Sequence, residues 1–199
     1  MGTLLTADEF LAAPQSDTVR QELVRGELRS VSPAGGSHGR VGANLYDALM
    51  PFVRARRLGL CFFDGTGFLL PLPPELQRRS RDGRARDTVR SPDVAFVRAN
   101  RVPPAGFGAG WVPLAPDFAA EVLSPSETSS DTGEKLADYR AAGTRLLWVV
   151  DPAKRLVTIY AADAPTRWVR EGETLDGGDV LPGFTLAVDA LFEDVAPGE

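Results

Sequence analysis

The sequence predicts a mixed α/β (α+β) fold, a β-sheet with parallel and antiparallel strands flanked by helices. Three observations predict it. Residues 118–123 (FAAEVL) and 146–150 (LLWVV) are apolar on both faces apart from Glu121, and continuous runs of this kind mark central strands covered on both sides. The segment between them has helical character, and strand, helix, strand is the crossover that sets two strands parallel. Residues 21–31 (QELVRGELRSV) read as a β-hairpin turning at Arg25-Gly26.

The elements follow in order. Thr6 and Glu9 have the spacing of a capping box, so a helix over 7–12 should end before Pro14. The hairpin comes next, then a loop over 32–37 (SPAGGS). Residues 39–58 carry a helical stripe of Val41, Leu45, Ala48, Leu49 and Phe52. Pro51 lies inside that helix, and an interior proline costs about 3 kcal/mol, so a kink or break is expected there, with Gly59 as the stop. Residues 60–70 (LCFFDGTGFLL) predict one strand, or two with a glycine bulge. The tract over 78–90 (RRSRDGRARDTVR) holds six arginines and two aspartates with no apolar period. It reads as a solvated hairpin loop or, more sharply, as an arm that contacts phosphates.

Residues 93–98 (DVAFVR) predict a strand, and 103–116 are irregular. Asp131 with Glu134 has capping-box spacing, predicting a helix over 132–142 that stops at Gly143. After a turn at 151–154, residues 156–161 should run back antiparallel. Residues 167–175 and 180–188 predict late strands, and 190–193 a helical turn. There are no repeats. The chain divides as a single domain over 1–199: N-terminal helix and hairpin 1–37, core 38–160, C-terminal strands 161–199.

With 199 residues the chain can bury a full core. No apolar run is long enough to span a membrane, and no secretory leader is visible, so a cytoplasmic location is the expectation. Cys61 is the only cysteine, which excludes an internal disulfide and an all-cysteine zinc site. The net charge of −5 argues against a protein that coats nucleic acid, but leaves room for an enzyme that touches DNA at one cleft.

Two acids stand where acids are costly. Asp93 heads one predicted strand and Glu121 sits inside another. If those strands are neighbours, both carboxylates can face one edge of the sheet. At about 4 Å and an effective dielectric near 20 they repel by about 4 kcal/mol. A proton, a divalent cation or a basic group must then lie between them, and Mg²⁺ takes one or two carboxylates plus waters. The plainer alternative is that Asp93 caps a turn and Glu121 pairs with an arginine. His38, the only histidine, can hold a metal, contact phosphate or simply cap the helix that follows it.

The order ELVRGEL, a His-Gly, SPDVAFV and PDFAAEVLSPSETSSDTGEKLADYRAAGTRLLWVVDP resembles the Uma-two family of restriction endonucleases, in the PD-(D/E)XK nuclease superfamily. The resemblance runs from the first helix through LPGF at 181–184. It implies a restriction-endonuclease-like sheet, DNA as a transient substrate and a Mg²⁺ or Mn²⁺ ion held by Asp93 and Glu121, with the Val122 carbonyl as a further ligand. A homodimer is a possible assembly.

At the third motif position this chain has Leu123 where the superfamily has lysine. Either another cation takes over, or the fold is kept with a degenerate site for binding nucleic acid or protein. Lys135 is the candidate replacement, because the start of a crossover helix returns to the carboxyl end of the preceding strand, where a helix N-terminus also attracts anions. Tyr139, four residues on, shares its helix face, with a half-buried core position as the blander reading. The resemblance also implies an acid from the N-terminal region. Glu22 and Glu27 flank the hairpin, and Glu27 is the preferred candidate.

Overall fold

Pairing between residues 118–122 and 146–150 organises the fold. In the computed structural model, which describes residues 4–14, 20–31, 35–79, 83 and 85–195, the chain begins with α1 (Ala7–Ala12), β1 (Arg20–Val24), β2 (Glu27–Val31), α2 (Gly36–Arg56), β3 (Gly59–Phe63) and β4 (Phe68–Leu69). Short strands β5 (Arg78–Arg79), β6 (Ala85–Arg86) and β7 (Val89–Arg90) lead to β8 (Val94–Arg98) and β9 (Phe118–Val122). Then come α3 (Ser129–Ala141), β10 (Leu146–Asp151), β11 (Leu156–Ala161), β12 (Arg167–Arg170), β13 (Thr174–Asp176), β14 (Thr185–Ala187) and α4 (Val188–Leu191).

Six strands form the main sheet in the order β12-β11-β10-β9-β8-β3. β9 and β10 are parallel, joined by α3, and every other neighbouring pair is antiparallel. The expected mixed sheet with flanking helices is what forms. β2-β1-β7-β4 make a second, antiparallel sheet, and its hairpin turns at Arg25 and Gly26, both with positive φ, as a two-residue hairpin turn demands.

Alternation divides the core. Phe96, Phe118, Ala120 and Trp148 face α2, whose Val41, Leu45, Leu49 and Val53 cover them together with Leu175, Phe184 and Leu191 from the C-terminal segment. Ala95, Ala119 and Leu147 face the other way, against Tyr139 of α3 and Phe68, Leu70 and Leu72. A third cluster packs Ala7 and Phe10 of α1 on Leu23 and Val89.

Several boundaries differ from expectation. α2 runs through Pro51 to Arg56. Buried Val41, Leu45, Leu49 and Val53 secure both halves on the sheet, which offsets the hydrogen bond the proline removes. It stops at Arg57, in the left-handed conformation, and Gly59 instead opens β3. α3 is capped by Thr128 with Asp131, not by Asp131 with Glu134, and therefore starts at Ser129. Residues 60–70 split between the two sheets. Residues 32–34 of the predicted loop lie outside the described residues. So do 80–82 and 84 of the arginine tract, and with them much of the expected phosphate arm.

Trp148 is fully buried and packs against Phe118 and Phe184, joining the sheet to the C-terminal segment. Trp148→Ala is expected to destabilise the fold by about 3–5 kcal/mol, read from chemical denaturation. A loss below about 1 kcal/mol would contradict this packing.

Candidate functional site: a carboxylate cluster at the end of the central strand

All five residues of β9 are buried. Ala119 faces α3, so Glu121, two residues on, does too. Its carboxylate is only 3% exposed as a residue, and it is held by two side chains one turn apart on α3. Lys135 Nζ donates to Glu121 Oε2 at 2.9 Å, and Tyr139 Oη donates to Oε1 at 2.8 Å. Lys135 also meets Glu127 Oε1 at 2.7 Å. The capped helix begins just beyond the loop that leaves β9, and Lys135 stands in its second turn rather than its first.

Asp93 approaches the same strand end from β8. Its backbone N–H donates to the Ala120 carbonyl at 3.1 Å, and its Oδ2 accepts the Val122 N–H at 2.7 Å. His38, in the first turn of α2, places Nε2 3.2 Å from the same Oδ2. Helices on opposite faces of the sheet thus each bring one basic side chain to the end of β9. The structure gathers Asp93, Glu121, Val122, Lys135 and His38. Val122 enters through its amide.

Glu27 is not among them. It is exposed on β2 and ion-paired with Arg78. Glu22, the other hairpin acid, is the one that is buried beside the cluster. It accepts from the Ser91 N–H and from Arg90 Nη1, both at 2.9 Å. Arg90, taken from sequence as part of a solvated tract, is 3% exposed. It also bonds Asp138 of α3, through Nη2 at 2.6 Å and Nε at 3.0 Å. Arg25, at the hairpin turn, reaches Asp138 at 2.6 Å and Glu134 at 2.9 Å. No motif in the sequence marks Arg90. A buried arginine announces itself only through its acid partners, and these are distant in sequence.

The electrostatics follow from crowding. Burial raises the Glu121 carboxyl from 4.5 to about 7; Lys135 opposes the rise, and Asp93 and Glu22 add to it. Burial pulls the Lys135 ammonium down, but Glu121, Glu22 and Glu127 more than offset that and hold it above its ordinary value. The two shifts agree once the surroundings are considered: carboxylates outnumber cations around the pair, so protons are favoured on both. Burial pulls the His38 imidazole down, but Asp93, with Glu121 and Glu127, more than offsets that and holds it above its ordinary value. Burial and the nearby Glu121 carboxylate push the Tyr139 phenol well up.

Among the described residues no three His, Cys, Asp or Glu side chains are gathered closely enough to hold a metal by themselves. The cluster does have hard oxygen donors and an excess of buried negative charge. That suits a divalent cation that takes two carboxylates and completes its shell with a carbonyl and waters.

The fold is a mixed α/β fold of the restriction-endonuclease-like class. The fold matches the crystal structure of a protein described as a putative nuclease belonging to DUF820 from Anabaena variabilis, with a TM-score of 0.78 and 20% identity over 95% of this chain and 98% of that one. Residues 7–189 match Uma2, the family described as "Putative restriction endonuclease", and the chain belongs to that family. The curated proteins contain no match.

Because the Glu121 shift is upward, the stability linked to it is present below about 4.5 and lost as pH rises through about 7. Glu121→Gln removes the ionisable group. In metal-free protein its melting temperature relative to wild type is expected to climb between about pH 5 and pH 8.5. A difference that stays flat or falls over this range would contradict the buried, crowded carboxylate.

Proposed function

We propose that this protein is a divalent-metal-dependent DNA endonuclease, with Mg²⁺ or Mn²⁺ as cofactor and Asp93, Glu121 and the Val122 carbonyl as its ligands. The observation that carries the reading is the 2.9 Å contact of Lys135 Nζ with Glu121 Oε2. It puts an ammonium beside the strand carboxylate although Leu123 occupies the superfamily's lysine position. When bound, the metal would acidify a water and stabilise negative charge on a phosphate oxygen.

The chain's own groups do the rest. Tyr139 and Lys135 fix the Glu121 carboxylate from one side. Lys135, which keeps its proton, orients the attacking water and lies against the charge that grows on the phosphate. His38 steadies Asp93, and its partly open position lets it meet a phosphate oxygen or hold a proton. Glu22 is the acid the N-terminal hairpin brings to the cluster, and Glu27 stays outside it. DNA as a transient substrate, a cytoplasmic location and a second copy of the chain as partner complete this reading. No helix among the described residues is long and apolar enough to cross a membrane.

Leu123 favours a second reading, a degenerate nuclease fold that binds nucleic acid or protein without cutting. Supercoiled plasmid and purified protein with Mg²⁺ or Mn²⁺ separate the two. The proposal expects nicking, abolished by chelation. Asp93→Ala, Glu121→Ala and Lys135→Ala should each lose about a hundredfold or more. Binding of plasmid without nicking in either metal would favour the degenerate module.

A further inference from the structure

β3 is an edge of the main sheet, with β8 as its neighbour on one side. The Leu58 carbonyl accepts the Ala99 N–H at 2.8 Å, so Leu58 turns its backbone groups toward β8. Alternation along an antiparallel pair then turns those of Cys61 and Phe63 away from it, to an edge with no strand partner among the described residues, where the Phe63 carbonyl also accepts the Thr66 hydroxyl at 3.1 Å. The side chains are unusual for an edge. Charges, proline and bulges normally blunt such strands, whereas β3 reads GLCFF, with Leu60 42% and Phe63 39% exposed.

The strand also carries a knob and a hole. Phe63, at its far end, lies on the α2 side against Tyr46, with ring centroids 5.1 Å apart. At its near end is Gly59, whose Cβ position is already taken by the Val97 carbonyl, 1.9 Å away, so the strand sends no side chain of its own toward α2 there. An open groove of about 480 Å³ adjoins Gly59, between α2 and the strand, lined by Met50, Val53, Arg54, Arg57 and Cys61 among others.

We propose that β3 is the interface between two copies of this chain, paired antiparallel about a two-fold axis at Cys61. That register is set by the strand itself. It makes Cys61 and its symmetry mate a hydrogen-bonded pair and lays Phe63 of each copy opposite Gly59 of the other. Each ring enters the groove beside the glycine, between α2 and the strand. Arg54 and Arg57, at the same end, provide cations for its face. The two sheets become one continuous sheet and the apolar edge disappears. The metal site has no part in this argument, so the assembly stands or falls independently of nuclease activity.

Sedimentation equilibrium of the full-length protein, together with residue-resolved amide exchange, tests it. Wild type should be dimeric at micromolar concentration, with the Cys61 and Phe63 amides exchanging about tenfold or more slowly than in a monomer. Phe63→Lys and Leu60→Lys each place an ammonium on the edge from opposite sheet faces. Both should sediment as monomers with unchanged circular dichroism and with fast exchange at Cys61. Two results would overturn the proposal: a wild-type monomer at high micromolar concentration, or a dimer that both folded variants retain.

Discussion

The ammonium of Lys135 is what allows a carboxylate to stand on a strand whose every residue is buried. Moving an ion out of water costs several kcal/mol even after relaxation. At Glu121 that cost exceeds what the lysine returns, since the carboxyl still rests near 7. Company deepens the shortfall that burial creates. Asp93, just before β8, and Glu22 of β1 add negative charge, and Glu127 competes for the same ammonium. A site that holds excess negative charge in a dry place is primed for a cation, and the fold supports it with rigid parts. β9 lies inside the sheet, α3 starts at a satisfied capping box, and Tyr139 ties helix to strand beneath the lysine.

A second ionic network keeps the first in place. Arg90 joins Glu22 of the small sheet to Asp138 of α3, and Arg25 adds the hairpin turn to the same aspartate. The small sheet is thereby fixed against the face of α3 that presents Lys135. Breaking such a pair by removing one member costs about 3–5 kcal/mol, because the other is left buried and unpaired. The network thus sets where Glu22 stands relative to Glu121, a distance apolar packing alone would leave looser.

Much of this was legible in the sequence because local rules decided it. Doubly apolar runs gave β9 and β10, and a crossover helix must return over the strand it leaves, which brought Lys135 to Glu121. What was missed depended on which strand lies where. Hairpin sequence does not say which of its strands is the edge. β1 pairs on both sides, so Glu22 is buried, whereas β2 is an edge and Glu27 is exposed. Arg90 looked like the end of a solvated tract because its partners are 68 and 48 residues away. The cap of α3 was misread because Asp131 fits two overlapping boxes, and Thr128 wins by supplying a hydroxyl to the Asp131 N–H.

The central claim is that Asp93 and Glu121 share a divalent cation. Crystals soaked in Mn²⁺ and measured at the manganese absorption edge test it most directly. The account predicts one strong anomalous peak at the end of β9, with an oxygen of each carboxylate about 2.1 Å from it. No peak at saturating Mn²⁺, or a peak bound to other side chains while Lys135 still holds Glu121, would contradict it.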